Sequence, residues 1–337
     1  MITLAQVGVG EWGKNLLRTF SNLPGCRVKF FCDQSPITLE KVSKSYRHYI
    51  EGVKDYNILL NDHEIDAIII ASPPATHADF VLRALDAEKH VFVEKPLALN
   101  MSDAEKMISK VRETGKILMV GHLLLYHPAI RKIKAYIEEG QLGEIHYLYS
   151  TRVNLGRIRE EENALWSLTA HDISVATYLL GKFPQEVTAT GSSYLRKDIE
   201  DVVFVTLYFQ DRVIGHIHAS WLDPHKIRKF TIVGSQKMAV FDDMEPTEKI
   251  RLYDKGVNRS KGIESSDNLI LREGDIHIPK IDNTEPLTLE CQHFLDCIAN
   301  QKKVFTDAQH GLQVLKILTA AQESMESNGR PIKVFCS

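Results

Sequence analysis

The chain has 337 residues, of which 44% are apolar and 25% charged, and a formal net charge of −3. A length above what one hydrophobic core supports implies two domains, and the near-neutral balance excludes the basic footprint that nucleic acid or an anionic membrane requires. Five cysteines (Cys26, Cys32, Cys291, Cys297 and Cys336) form no C-x-x-C pair, which argues against a disulfide framework or a metal site and suits a reducing cytoplasm. No apolar run approaches the roughly 18 residues of a membrane span, and no secretory leader is expected ahead of the first strand, so a cytoplasmic location is expected.

An apolar strand, Leu4 to Val7, runs into Gly8-Val9-Gly10-Glu11-Trp12-Gly13, a G-x-G-x-x-G turn. In that pattern the first glycine permits a sharp turn and the second lets backbone N–H groups approach a pyrophosphate. The third lets the next helix pack close on its strand. Leu16, Leu17, Phe20 and Leu23 follow at helical spacing, which places the anion at the positive end of a helix. A second strand, Val28 to Cys32, ends in Asp33, an acid suited to the adenosine ribose 2′- and 3′-hydroxyls. Gly8, Gly10, Glu11, Trp12, Gly13 and Asp33 are thus candidate dinucleotide contacts. Asp33 would repel a 2′-phosphate, and Gln34-Ser35-Pro36 supplies no arginine to neutralise one, which favours NAD over NADP.

After a helix marked by Leu39, Val42 and Tyr46, the strand Asp66 to Ala71 is apolar on both faces, as a central parallel strand is. Ser72-Pro73-Pro74-Ala75-Thr76-His77 follows at its carboxyl end, where open α/β sheets bind ligands. Ser72, Pro73 and His77 therefore join the candidate cofactor contacts. A helix from Ala75 to Glu88 and the strand His90 to Val93 lead to Glu94-Lys95-Pro96. A proline there can hold a cis bond, directing Lys95 toward the nicotinamide, with Glu94 beside it. The helix Ser102 to Thr114 and the strand Lys116 to Val120 complete a βαβ rhythm. Residues 1–122 are read as an NAD-binding domain with a doubly wound parallel sheet.

Past Pro128 the rhythm changes, and residues 123–337 are read as an α+β domain for substrate binding and oligomerisation, its last helix able to pack back on the first domain. A helix from Ala129 to Glu139 leads to the strand Glu144 to Val153. Arg152, Asn154 and Arg157 lie at the end of that strand, and arginine forks suit carboxylates and phosphates. The helix Trp166 to Leu180, closed by Gly181, carries His171, a natural base near neutrality, with Ser167 and Trp166 four and five residues before it. Strands are expected at Glu186 to Tyr194, Val202 to Phe209, Val213 to Trp221, Lys229 to Val233 and Met238 to Phe241. Alternation of Val213, Gly215 and Ile217 with Ile214, His216 and His218 implies a sheet with two unlike faces. Asp254 to Asp275 reads as a loop excursion. Helices at Pro286 to Asn300 and Asp307 to Ser327 and a strand at Pro331 to Phe335 finish the chain.

Together GVGEWG, the Asp-terminated second strand, SPPATH, EKP and the histidine-bearing helix resemble the glucose–fructose oxidoreductase/inositol dehydrogenase (GFO/IDH/MocA) family over essentially the whole chain. The resemblance implies a Rossmann domain, a second domain with an open, largely antiparallel sheet that often forms the oligomer interface, and NAD(P)-dependent chemistry on a sugar or cyclitol. The family's lysine maps onto Lys95 and its histidine onto His171, the two expected catalytic residues. Many members carry an aspartate four residues before that histidine, where this chain has Ser167. Serine takes up no proton at neutral pH, so the work falls to Lys95 and His171, with Ser167 as a hydrogen-bond partner.

The stretch TRVNLGRIREEENALWSLTAHDIS looks like the family's nucleotide-sugar branch, the UDP-N-acetylglucosamine 3-dehydrogenases, which make a 3-keto sugar for a partner aminotransferase. On that reading the substrate contacts are Lys95, Tyr126, Arg152, Asn154, Arg157, Trp166, Ser167 and His171, and the chain is a homo-oligomer. The alternatives are a 3-ketoreductase or inositol dehydrogenase of the same family, an NAD-dependent glycosidase, and a non-catalytic NAD sensor.

Overall fold

The computed structural model describes residues 1–46, 49–156, 158–159, 162–259 and 269–335. The chain divides into two compact units, Met1–Tyr126 with Thr284–Leu315, and His127–Asn283 with Lys316–Ser337. The division thus falls at Tyr126 in place of residue 122, and residues 284–315, expected in the second domain, belong to the first.

The first unit begins with β1 (Ile2–Val7), α1 (Gly13–Asn22), β2 (Cys26–Cys32), α2 (Pro36–Tyr46), β3 (Glu51–Val53), α3 (Tyr56–Asn61), β4 (Ala67–Ile70), α4 (His77–Asp86), β5 (His90–Glu94), α5 (Met101–Thr114) and β6 (Leu118–Gly121). The short β3 and α3 were not read from the sequence. Their paired strands run parallel in the order β3-β2-β1-β4-β5-β6, the doubly wound arrangement expected. Every residue of β4 and of β6 is buried, which explains why both read as uninterrupted apolar runs.

The second unit continues with α6 (Pro128–Glu138), β7 (Ile145–Val153), α7 (Ala170–Leu180), β8 (Glu186–Ser192), β9 (Val202–Tyr208), β10 (Ile214–Ser220), β11 (Ile227–Gly234), β12 (Met238–Asp242), β13 (Ile250–Arg259) and β14 (Leu269–His277). Then come α8 (Pro286–Asn300), α9 (Ala308–Glu326) and β15 (Ile332–Lys333). The nine-stranded sheet has the order β14-β13-β12-β11-β7-β10-β9-β8-β15. Its β7–β10 pair is parallel and its other pairs antiparallel. Val213, Gly215 and Ile217 are buried while Ile214 and His216 are exposed, so the sheet has the two unlike faces expected. The outer face carries Tyr147, Tyr149, Phe204 and Tyr208, all exposed.

Two readings are corrected here. The helix expected at Trp166 to Leu180 opens with a π-helical turn, Leu165–Thr169, before α7. Thr169 Oγ1 donates to the Leu165 carbonyl at 2.5 Å, occupying an oxygen at the disturbed turn. The expected loop at 254–275 is largely the β13–β14 hairpin, with Lys255 opposite Glu273 and Val257 opposite Leu271. Nearly every β14 residue is exposed, so no buried face wrote an alternation into the sequence.

Residues 284–315 join the first unit through an aromatic cluster. The ring of Phe294 on α8 meets Phe20 and Phe92 edge-on at 6.3 and 5.7 Å, and all three are essentially fully buried. Phe294→Ala is expected to destabilise this unit by about 3–5 kcal/mol through a cavity that cannot collapse. Urea denaturation of the full chain checks this, and a loss below about 1 kcal/mol would contradict it.

Candidate active site

The glycine turn of the first unit is shaped by two close approaches and one opening. Gly8 has φ +82°, and a Cβ there would lie 2.5 Å from the Ala71 carbonyl oxygen. At Gly13 a Cβ would lie 2.2 Å from the Gly8 oxygen. Neighbouring backbone therefore demands both glycines. A Cβ on Gly10 would meet nothing within 4 Å, so its smallness serves the space in front of the turn. Gln6, buried on β1, ties the turn by donating from Nε2 to the carbonyls of Gly8 at 2.9 Å and Gly13 at 2.7 Å. No side chain caps the amino end of α1; Lys14 N and Asn15 N donate to the Gly10 and Trp12 carbonyls at 3.2 and 2.8 Å, and the helix dipole there favours an anion. Asp33 accepts from Val9 N at 3.0 Å and Ser35 N at 2.9 Å, one bond to each oxygen. That holds the acid beside the turn with lone pairs remaining for hydroxyl donors.

At the carboxyl ends of β4 and β5 two loops are stitched together by His77. Its Nε2 lies 3.0 Å from the Ser72 carbonyl and its Nδ1 2.8 Å from the Pro96 carbonyl. The ring is fully buried and its pKa lowered, chiefly by that burial. His77 is therefore no cofactor contact, as the sequence reading had it, but a positioning residue under both loops. Ser72 is half-buried and Pro73 exposed, which leaves those two able to face a ligand. The Lys95–Pro96 peptide is cis, and Lys95 is half-buried beside it.

Glu94 accepts from Trp12 Nε1 at 2.5 Å and from Lys95 N at 3.2 Å. The glycine turn and the end of β5 are thereby linked through one carboxylate, with Glu11 and Trp12 on the exposed side. Burial lifts the Glu94 pKa to about 7 against the opposing effects of Trp12 and Lys95. Tyr126 corrects a second expectation. Its side chain has no exposed surface, its hydroxyl is 3.2 Å from Thr306 Oγ1, and its ring packs on His293 and Phe305. It is a core residue and contacts no substrate.

In the second unit β7 and α7 face each other through a buried ion pair. Arg152 donates from Nε and Nη2 to the two oxygens of Asp172 at 2.6 and 3.1 Å. Burial works against the Arg152 charge, yet Asp172, with Asp243 behind it, holds the pKa above the ordinary arginine value. This corrects the reading of Arg152 as a phosphate ligand, because the fork is occupied by Asp172. Arg157 lies outside the described residues. Asn154 is half-buried just past β7. Trp166 donates from Nε1 to Gln322 Oε1 at 3.2 Å, an oxygen that also accepts from Asn163 Nδ2 at 3.1 Å. Asn163 in turn reaches Glu200 at 2.6 Å. Within this framework Ser167 lies in the π-helical turn, buried, and His171 lies one turn on, half-buried.

Residues 2–122 match the family model described as "Oxidoreductase family, NAD-binding Rossmann fold", and residues 130–240 match the GFO/IDH/MocA C-terminal domain. The two matches belong to one family and together cover more than half of the chain. The chain belongs to the GFO/IDH/MocA oxidoreductases.

Among its relatives in that family, scyllo-inositol 2-dehydrogenase (NAD(+)) of Bacillus subtilis is 27% identical, over 99% of this chain and 96% of the relative. UDP-N-acetylglucosamine 3-dehydrogenase of Acidithiobacillus ferrooxidans is 26% identical, over 78% of this chain and 80% of the relative. The solved scyllo-inositol dehydrogenase of Lactobacillus casei with bound NAD(H) and scyllo-inositol superimposes with a TM-score of 0.80, covering 99% of both chains at 20% identity. This GFO/IDH/MocA protein is thus an oxidoreductase with NAD as cofactor. The first unit fits that group on its own geometry: an open approach at Gly10, an uncapped helix end, and the tethered acid Asp33.

Several residues of the site escaped the sequence reading. Gln6 and Asn163 act through hydrogen bonds between side chain and framework, which leave no periodic signal. Glu290 on α8 and His122 past β6 are both buried, with the half-buried His310 edge-on to His122 at 5.0 Å, and they feel the charges of Glu94 and Lys95 only through the fold. A charged residue on the buried stripe of α8 was the one available clue.

Proposed function

We propose that this GFO/IDH/MocA oxidoreductase oxidises the C3 hydroxyl of a UDP-N-acetylhexosamine, UDP-N-acetylglucosamine first, to a 3-keto sugar that an aminotransferase then consumes. The observation that carries the reading is Lys95. It sits at the carboxyl edge of an NAD-binding sheet, directly after Glu94, on a loop fixed from beneath by His77. NAD supplies the hydride acceptor. Lys95 and His171 are the groups we assign to the hydroxyl proton. An amine takes it as base or, when charged, stabilises the developing alkoxide; an imidazole suits the base role near neutrality. Ser167 and Trp166 orient the helix that carries His171. The nucleotide-sugar part rests on the likeness to the Acidithiobacillus enzyme, since Arg152 no longer supplies a free fork for a diphosphate.

A second reading, oxidation of an inositol, is favoured by the Bacillus scyllo-inositol relative, which aligns over nearly the whole chain. NADH absorbance on incubation with UDP-N-acetylglucosamine, UDP-N-acetylgalactosamine, scyllo-inositol and myo-inositol separates the two. A parallel run with an aminotransferase and glutamate catches a keto product that does not accumulate. NADH formation with UDP-sugars is the expected result. Turnover of inositols alone would overturn the first reading in favour of the second. Free sugar released without net NADH would replace both by glycosidic cleavage. We further assign the exposed aromatic face of the nine-stranded sheet to self-association with a second copy, and the free thiols of Cys26, Cys32, Cys291 and Cys297 suit a cytoplasmic location.

A further inference from the structure

The residue before the last glycine of the turn is a tryptophan whose side chain leaves its own strand behind. Trp12 donates from Nε1 to Glu94 Oε1 at 2.5 Å, and Glu94 is the last residue of β5. In the first sheet β4 lies between β1 and β5, and neighbouring strands are about 4.8 Å apart. The Trp12–Glu94 link therefore bridges a gap of roughly 10 Å, past the carboxyl end of β4. The strand order reverses between β1 and β4, and a dinucleotide on an open α/β sheet crosses the crevice at that reversal. Asp33, just past β2, marks the adenosine side of the crevice, so Trp12 extends over the nicotinamide side.

The side chain is both open and held in place. Its one polar atom is engaged by Glu94, yet 41% of the residue is exposed, so the open surface of the side chain is apolar ring. The acceptor has little room to move. Glu94 Oε2 accepts from the Lys95 backbone N–H at 3.2 Å, and a Cβ on Gly121 would lie 3.1 Å from the carboxylate. The space in front of Gly10 is open, and Pro73, past β4, is exposed. We propose that the Trp12 ring is the stacking platform for the nicotinamide and that, with Glu94 at its edge, it makes the site favour the oxidised cofactor over the reduced one. The inference rests on the NAD assignment alone and is independent of the substrate.

The preference follows from charge. The face of an aromatic ring is electron-rich, and among the aromatic side chains tryptophan attracts a cation most strongly. A carboxylate that accepts the indole N–H polarises the ring further and adds its own negative charge to that side. Lys95, next in the chain and half-buried, brings positive charge to the same edge, which Glu94 offsets. The oxidised nicotinamide ring is a cation and gains from both the ring and the carboxylate. The reduced ring is neutral and gains packing alone.

The test compares NAD+ and NADH binding to the full-length protein by calorimetry at pH 8, above the Glu94 pKa of about 7. In wild type, NAD+ should quench indole fluorescence and give a weak charge-transfer absorption at longer wavelength than either ring alone. Trp12→Leu should abolish that absorption and raise the Kd of NAD+ roughly 2- to 30-fold, with a smaller rise for NADH. Glu94→Gln keeps an acceptor for the indole, so the absorption should persist while the Kd of NAD+ rises more than that of NADH. Equal weakening of both forms in Trp12→Leu would reduce the residue to a part of the turn and overturn the inference. No charge-transfer absorption in wild type saturated with NAD+ would overturn it as well, whether or not the variants fold. Binding of neither form to wild type would overturn the cofactor assignment itself, and the inference with it.

Discussion

Replacing Lys95 by methionine should lower the rate of NADH formation by roughly 10²–10⁴-fold while leaving NAD bound at near-normal affinity. Methionine keeps the length and apolar stem of the side chain but removes the only group on it that can hold a proton. The loop is held by His77 through the Pro96 carbonyl and not through the Lys95 side chain, so it should survive the change. Lys95→Arg then separates the two roles open to the amine. A guanidinium stays charged and cannot act as base, so partial recovery assigns Lys95 to alkoxide stabilisation and no recovery assigns it to proton acceptance. His171→Ala is the complementary variant: if His171 is the base, its loss removes the acid limb of the pH–rate profile. Single-turnover NADH formation with UDP-N-acetylglucosamine, or with an inositol if that proves to be the substrate, is the measurement. Near-normal turnover in both Lys95→Met and His171→Ala would sink the assignment of the chemistry to these residues.

The parts of the fold that were legible in the sequence share one property: their burial is periodic or continuous. The strands from β1 to β12 other than β3 bury one face or both, and each wrote an alternation or an apolar run. The β13–β14 hairpin buries little, so nothing in its composition distinguished it from a loop. Motif residues were legible where the reason for the residue is local. Gly8 answers to its own φ and Asp33 ends its own strand. Roles set by distant partners were misread. His77 seemed to face the ligand because it follows a parallel strand, yet the Pro96 carbonyl, nineteen residues away, draws it into the interior. Tyr126 seemed available for a similar reason and is enclosed by residues near 300.

Arg152 is the sharpest case of such a reversal, and its variants should show it. Removing either member of the Arg152–Asp172 pair leaves the other charge buried, with side-chain exposures of only 9% and 3%. Arg152→Met and Asp172→Leu should each cost about 3–5 kcal/mol, a fall in Tm of roughly 6–20 °C. The double variant removes both charges and keeps the volume, so its Tm should return to within a few degrees of wild type. Asp243 also acts on Arg152 and gives the single Asp172 variant slightly more residual compensation than the single Arg152 variant can find. Differential scanning calorimetry of the four proteins closes the cycle. NAD affinity should be the same in all four, because the first unit carries that site. A phosphate-gripping arginine predicts the opposite pattern: Arg152→Met would leave Tm unchanged and raise KM for UDP-N-acetylglucosamine far more than for the free sugar. The bidentate bonds at 2.6 and 3.1 Å favour the structural outcome, since a fork already closed on a carboxylate must break both bonds, and strand the acid, before it can grip a diphosphate.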